Sequence, residues 1–315
     1  IAHLIEEEQK SVSSLEEACK AAFKKLNGSY AVGIISSSEP DKIICVRLNS
    51  PLTVGVGGQS GNFITSDASA LIDWTDKIIY LGDSEMVILE RDKKIKITDL
   101  DGRPVPYKVD IIHRDISAVE KGGYESFMLK EIYEQPQVIR QCMMGRINKD
   151  KTEVSFVNKG SLDNIMLDVR KISIVACGTA FHAGIVGRYL LEHFTDIPVE
   201  IDIASEFRYR RPKIDKHTLI ISVTQSGETA DTAASIREAR RHGCYLMTIC
   251  NVVGSTIARE SDAVIYTYAG PEIGVASTKA YTSQLTAFCL FAIYTARIRG
   301  QMTSALANRI INELE

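Results

Sequence analysis

The chain has 315 residues, 45% hydrophobic and 24% charged, with a formal net charge of −3 and a pI near 6.1. That composition suits folded domains of about 100–200 residues each, and its balanced charge excludes nucleic acid and an anionic membrane surface as partners. Its seven cysteines are dispersed without a C-x-x-C pair, several in apolar runs such as Ile43-Ile44-Cys45-Val46, which predicts buried free thiols in a reducing cytoplasm, with neither a disulfide framework nor a metal site.

Residue 1 is Ile, and the opening Ile1-Ala2-His3-Leu4-Ile5 is amphipathic from the start. With a helical pattern that breaks off over 305–315, this marks the chain as an expected piece of a longer protein. A helix is predicted over 14–26. From 29 to 107 the pattern becomes two-residue alternation, with strands expected at 30–35, 42–48, 62–65, 77–81, 86–90 and 95–98. Turns fall at Gly28, Ser38-Glu39-Pro40, Asn49-Ser50-Pro51, Gly57-Gly58 and Asp101-Gly102. This half reads as an α+β domain dominated by antiparallel strands. The stretch Gly55-Val56-Gly57-Gly58-Gln59-Ser60-Gly61 is not a dinucleotide loop: Ser60 occupies the third glycine's place and no helix follows, so it reads as a turn between strands. Residues 111–161 read as a connector, with a helix over 127–144 interrupted at Pro136.

After Lys171 short apolar runs at 172–176, 199–203, 219–223, 245–250 and 263–266 alternate with helices at 181–194, 229–242, 256–260 and 277–299. Such alternation predicts a parallel sheet with right-handed crossovers, which binds ligands beyond the carboxyl ends of its strands. Three polar loops fall there: Cys177-Gly178-Thr179-Ala180, Thr224-Gln225-Ser226-Gly227-Glu228-Thr229, and the run from Gly270 to Lys279. Each combines glycine with hydroxyl residues where a helix begins. Helix starts leave backbone N–H groups unpaired and carry partial positive charge, so the three loops together suit a phosphate held by neutral donors. Thr229 and Ser277 also fit as plain helix caps. The apolar helix 285–296 is too short for the roughly 20 residues that cross a bilayer, and is expected to offer a surface to a second subunit.

Cys177-Gly178-Thr179, then Ala204-Ser205-Glu206-Phe207-Arg208-Tyr209, Gln225-Ser226-Gly227-Glu228-Thr229-Ala230-Asp231-Thr232 and Glu272-Ile273-Gly274-Val275-Ala276-Ser277-Thr278-Lys279 occur in this order. Together they closely resemble the glucosamine-6-phosphate synthase family, the isomerising glutamine–fructose-6-phosphate aminotransferases. Lys130-Glu131-Ile132-Tyr133-Glu134-Gln135-Pro136 resembles the family's entry into its isomerase half. The resemblance implies an α+β partial N-terminal-nucleophile glutaminase domain over 1–110 and a connector over 111–161. It further implies an α/β SIS (sugar isomerase) domain, a parallel sheet flanked by helices, over 162–302, with 303–315 leading to a second SIS domain. It implies synthesis of glucosamine 6-phosphate from fructose 6-phosphate and glutamine by a cytoplasmic homodimer, with no metal or organic cofactor. By position, Thr224, Gln225, Ser226 and Thr229 would hold the phosphate, while Thr179, Ser277 and the Val275 carbonyl would line the sugar.

The family's catalytic groups and glutamine-binding residues are expected outside these 315 residues, so the chain alone should bind sugar phosphate without turning it over. Ala180 stands where many relatives carry serine, and Thr224 replaces a serine. His182 reads as structural and Lys279 as a charge near a helix start. Glu228 and Glu272 are acids or bases by type only, with no role carried over. Two rivals share the SIS signature. A sugar-phosphate-sensing regulator would place a basic helix-turn-helix where this chain has a β-rich domain, and a stand-alone isomerase or deglycase would not need residues 1–110.

Overall fold

The computed structural model describes every residue except 58–60, 67, 72–73, 92–93, 112–120, 157–158 and 315, with backbone alone at 69 and 159–161. Most of the glycine turn at 57–61, and the start of the expected connector, lie outside the described residues. The chain divides into two compact units, Ile1–Ile116 and Ser117–Glu315.

The first unit begins with helices α1 (Ala2–Gln9) and α2 (Leu15–Lys24). Ser14 starts α2 by accepting the Glu17 N–H on its hydroxyl at 3.2 Å, and Leu15, Ala18, Cys19, Ala22 and Phe23 form one buried helical stripe. That stripe packs on a four-stranded antiparallel sheet of order β1-β2-β6-β7, built from β1 (Tyr30–Ile34), β2 (Lys42–Leu48), β6 (Glu85–Glu90) and β7 (Lys96–Asp99). A second four-stranded sheet, of order β4-β3-β5-β8, contains β3 (Thr53–Val56), β4 (Asn62–Thr65), β5 (Lys77–Tyr80) and β8 (Asp110–Ile111).

Alternation across the pleat assigns the faces. Ile44, Val46, Met86 and Ile88 meet the helices, whereas Cys45, Val87 and Leu89 meet Val54, Ile79 and Leu81 of the second sheet. With both faces covered, the Ile43-Ile44-Cys45-Val46 run is continuously apolar. Helix α1 and strands β3 and β8 add to the elements expected from the sequence.

The second unit is a five-stranded sheet of order β10-β9-β11-β12-β13. Its strands are β9 (Lys171–Ala176), β10 (Val199–Ile203), β11 (Thr218–Thr224), β12 (Tyr245–Cys250) and β13 (Ala263–Tyr266), paired in parallel throughout. The helices are α3 (Phe127–Met143), α4 (Lys159–Asp168), α5 (Gly178–Phe194), α6 (Ala204–Phe207), α7 (Ala230–Arg241), α8 (Thr256–Arg259), α9 (Lys279–Ile298) and α10 (Ser304–Leu314). One face of the sheet packs against α3, α5, α9 and α10 in the largest core, with Ile174, Ile221 and Ile249 meeting Leu191, Phe288 and Ile293. The other face packs Val175, Ile220 and Leu246 against Phe207, Ile236 and Ile257.

Two expectations change. Pro136 lies inside α3 without interrupting it. Proline has no N–H for the carbonyl four residues back, and here the Gln135 side-chain amide donates to that carbonyl of Ile132 at 3.0 Å. The apolar stretch 285–296, expected to face a second subunit, runs instead through the core: Ala287, Phe288, Leu290, Phe291, Ala292 and Ile293 are all 0% exposed. A helix apolar all round is a buried helix, and α3 and α5 pack along it. Residues 127–156 are likewise built in, with Cys142, Met143, Val154 and Phe156 in the same core. Among the described residues, no helix is long and apolar enough to cross a membrane.

Candidate functional site

Numbered within its own unit, the sheet has order 2-1-3-4-5, so the direction of winding reverses between β9 and β11. Helix α5 leaves β9 toward one face and α7 follows β11 on the other. Where the two connections part to opposite faces, doubly wound sheets open the crevice in which they bind their ligands. Ala176 and Val223 are direct neighbours at this point, and Thr224 lies beside Cys250.

The loop after β11 is rigidly braced. Gly227 has a φ of +68°, and a Cβ there would stand 1.9 Å from Ser255 Oγ, so only glycine fits. The Gly227 N–H donates to Thr224 Oγ1 at 3.1 Å and the Glu228 N–H to Ser226 Oγ at 3.2 Å. Each hydroxyl oxygen thereby accepts one backbone N–H and keeps a hydrogen with which it can donate. Thr229 stands at the N-cap of α7 but makes no side-chain capping bond; its hydroxyl lies 3.4 Å from Thr224 Oγ1.

From below, the Gln225 carbonyl accepts the Asn251 N–H at 3.2 Å, and Glu228 Oε1 accepts the Thr256 N–H at 2.8 Å. The Cys250 thiol also reaches the Gln225 carbonyl; burial pushes that thiol up, so it stays a neutral donor. Glu228 is therefore a brace, not an acid or base facing the crevice.

Across the crevice, Thr179 is exposed in the first turn of α5, whose N-cap residue Cys177 also makes no side-chain cap. Two helix starts thus meet the crevice without an N-cap side chain over their first N–H groups, an arrangement that suits an anion. Ala180 is buried in the main core at 9% exposure. His182 is exposed, with its ring edge-on to Phe181.

The third loop follows the edge strand β13. Asn251 ties it to the others: its side chain donates to the Gly270 carbonyl at 2.7 Å and accepts the Ala269 N–H at 2.8 Å. Glu272 performs the capping at the start of α9, accepting the N–H groups of Thr278 at 2.8 Å and Ala280 at 3.0 Å. It also takes the Ser277 hydroxyl at 3.0 Å, so Ser277 offers a ligand an acceptor oxygen. The Val275 side chain is fully exposed.

The structure thus gathers Thr179, Thr224, Gln225, Ser226 and Thr229 at the reversal point. Val275 and Ser277 sit on a separate loop with its own scaffold. Three features escaped the sequence reading. Asn251 links two loops. Arg208, after α6, stands 3.9 Å from Asp231 in the first turn of α7, which places a cation beside a loop that has none of its own. The Lys130–Pro136 segment reaches the third loop: Glu131 accepts the N–H groups of Ile273 and Gly274, and Glu134 pairs with the buried Lys279 at 2.5 Å. The paired acids Glu131 and Glu134, three apart on one helix, were the visible sign.

A parallel sheet whose winding reverses beside a hydroxyl-bearing loop is a doubly wound α/β fold, and its residues 165–294 match the SIS domain family. Over almost its whole length the chain is similar to isomerizing glutamine–fructose-6-phosphate aminotransferases. It is 46% identical to that of Clostridium tetani over 312 residues, 99% of this chain and 50% of the relative. It is 42% identical to that of Pseudomonas putida over 315 residues, 100% of this chain and 51% of the relative. Among solved structures, the C-terminal domain of glucosamine-fructose-6-phosphate aminotransferase from Francisella tularensis superposes with a TM-score of 0.59 at 39% identity, over 62% of this chain and 54% of that one. The chain spans about half the length of the curated relatives it matches.

Proposed function

We propose that this chain supplies the sugar-phosphate-binding half of an isomerizing glutamine–fructose-6-phosphate aminotransferase, which makes glucosamine 6-phosphate and glutamate from fructose 6-phosphate and glutamine. Thr224, Ser226 and Thr229 hold the phosphate with the Gln225 side chain and the open N–H groups of α7. Thr179, Ser277 and the Val275 carbonyl line the sugar. Residues 1–110 form the later part of the glutaminase domain, a reading supported by their two antiparallel sheets and by similarity to the aminotransferases that extends over 99% of the chain. The full protein acts as a cytoplasmic homodimer without cofactor, and its reacting groups and glutamine site lie in other parts of that protein.

The observation that carries this reading is the 224–229 loop. The Thr224 and Ser226 hydroxyl oxygens are pinned by backbone N–H groups, the Thr229 hydroxyl lies beside that of Thr224, and the loop opens a helix at the switch point of the sheet. Calorimetric titration of the chain with fructose 6-phosphate and with fructose is the test. The phosphorylated sugar should bind measurably and fructose far more weakly, with no glucosamine 6-phosphate formed when glutamine is added. Equal affinity for the two sugars would refute it.

A further inference from the structure

We propose that Glu131 is a positioning residue for the sugar end of the site: from α3 it fixes, by backbone contact alone, the loop that carries Val275 and Ser277. This inference rests on the sugar-phosphate reading above.

Glu131 is a buried carboxylate, 2% exposed. Its Oε1 accepts the Ile273 N–H at 2.6 Å, and the Gly274 N–H reaches Oε1 at 3.1 Å and Oε2 at 3.2 Å. Both N–H donors reach the same oxygen, and an ionised carboxylate makes such bonds shorter and stronger than a neutral group does. The backbone comes so close at this point that a Cβ on Gly274 would lie 2.6 Å from Glu131 Oε2. Glycine at 274 and glutamate at 131 are therefore matched to each other across 143 residues.

The same helix is locked against α9 by contacts that keep Glu131 in place. Lys279 Nζ donates to Glu134 Oε2 at 2.5 Å and the Thr282 hydroxyl to Gln135 Oε1 at 2.5 Å. Lys130 lies 3.6 Å from Glu134 on its other side.

The consequence falls on the next residues. Val275, whose backbone carbonyl is proposed above to line the sugar, follows Gly274 directly and is fully exposed. That carbonyl's direction is set by the peptide planes Glu131 holds. Two residues on, Glu272 orients Ser277. The loop is thus held in its middle by one carboxylate and at its helix end by another, while the phosphate loop is braced by its own hydroxyls and Glu228 and meets the sugar loop at Asn251. Loosening Glu131 should weaken recognition of the sugar and leave recognition of the phosphate intact.

The experiment compares the wild-type chain with Glu131→Gln by calorimetric titration with fructose 6-phosphate and with inorganic phosphate. The expected result is a loss of about tenfold in affinity for fructose 6-phosphate, the scale of one hydrogen bond to a charged group. Affinity for inorganic phosphate should stay at the wild-type level. Gly274→Ala, which drives a methyl against the carboxylate without substituting any residue of α3, should reproduce the same selective loss if the first variant fails to fold. An unchanged ratio of the two affinities, or an equal loss for both ligands, overturns the positioning role while the functional reading survives. Wild-type protein that binds neither ligand overturns both.

Discussion

Thr224 and Ser226 each accept a backbone N–H within their own loop, which fixes where their hydroxyls stand. The double variant Ser226→Ala, Thr229→Ala should weaken binding of fructose 6-phosphate by roughly 1–3 kcal/mol, taking about 0.5–1.5 kcal/mol for each neutral hydrogen bond. Thr229→Ala alone should leave the unfolding midpoint near wild type, because Thr229 makes no capping bond to lose, whereas the Ser226 change also removes the acceptor of the Glu228 N–H. A stability loss of about 1 kcal/mol in Thr229→Ala without a change in affinity would restore the helix-cap role.

The buried thiols give a second residue-scale expectation. Burial pushes Cys45 up to about 12 and Cys19 and Cys142 to about 11, against about 8.5 in an unfolded chain. Below the unfolded value both states keep the proton, so the full stability is present. As pH rises, the unfolded state releases protons first, and unfolding is favoured increasingly up to about pH 11–12. Urea titrations from about pH 8 to about pH 10 should therefore show a falling unfolding free energy; constancy across that range would count against buried thiols.

At this scale the hydroxyl density of the phosphate loop was legible, because all its parts lie within a few positions. Glu131 was not, since the N–H groups it holds come from residues more than a hundred positions later. Glu228 and Glu272 carried the right chemistry for acids or bases, yet both carboxylates are engaged by backbone N–H groups.

The strands of the second unit could be read almost to their ends, since strands buried on both faces give unbroken apolar runs, while helices α4 (Lys159–Asp168) and α6 (Ala204–Phe207) were not expected. Strand β3 (Thr53–Val56) was harder: its Thr-Val-Gly-Val pattern runs straight into glycines that signal a turn. Pro136 misled for a physical reason, because the usual helix-breaking rule assumes an orphaned carbonyl, and Gln135 supplies the missing donor. Two substitutions test this. Gln135→Ala should destabilise the chain by about 1–2 kcal/mol by leaving the Ile132 carbonyl and the Thr282 hydroxyl without that partner. Pro136→Ala should be neutral or stabilising, since it restores an N–H to the helix. Thermal or urea denaturation of both variants decides; a large loss on removing the proline would mean the ring itself is needed for packing.

Across the whole molecule, the described apolar cores divide cleanly between the units. The clusters built on Phe23 and on Val54 belong to Ile1–Ile116, and those built on Phe288 and on Phe207 to Ser117–Glu315. Residues 121–315 made alone should therefore fold, with the far-ultraviolet signature of an α/β domain and the same affinity for fructose 6-phosphate as the whole chain. A fragment that stays unfolded would show that its cores depend on the first unit. The expected partner surface on 285–296 failed at this scale too: amphipathicity distinguishes a surface helix from a buried one, and this stretch has too little polarity to have been a surface helix.

That buried helix has a consequence for how the protein is made. Helix α9 (Lys279–Ile298) fills the groove between α3 and α5 and completes the sheet's main core, yet it is synthesised after every strand it covers. A nascent chain halted before residue 279 exposes the apolar face of a finished five-stranded sheet while the ribosome is still working. Long-range closure of this kind is slow, and open apolar surface in the interval is prone to aggregation. During synthesis, then, the strands wait for α9, and the vulnerable moment for this protein is the interval between the emergence of β13 and that of α9.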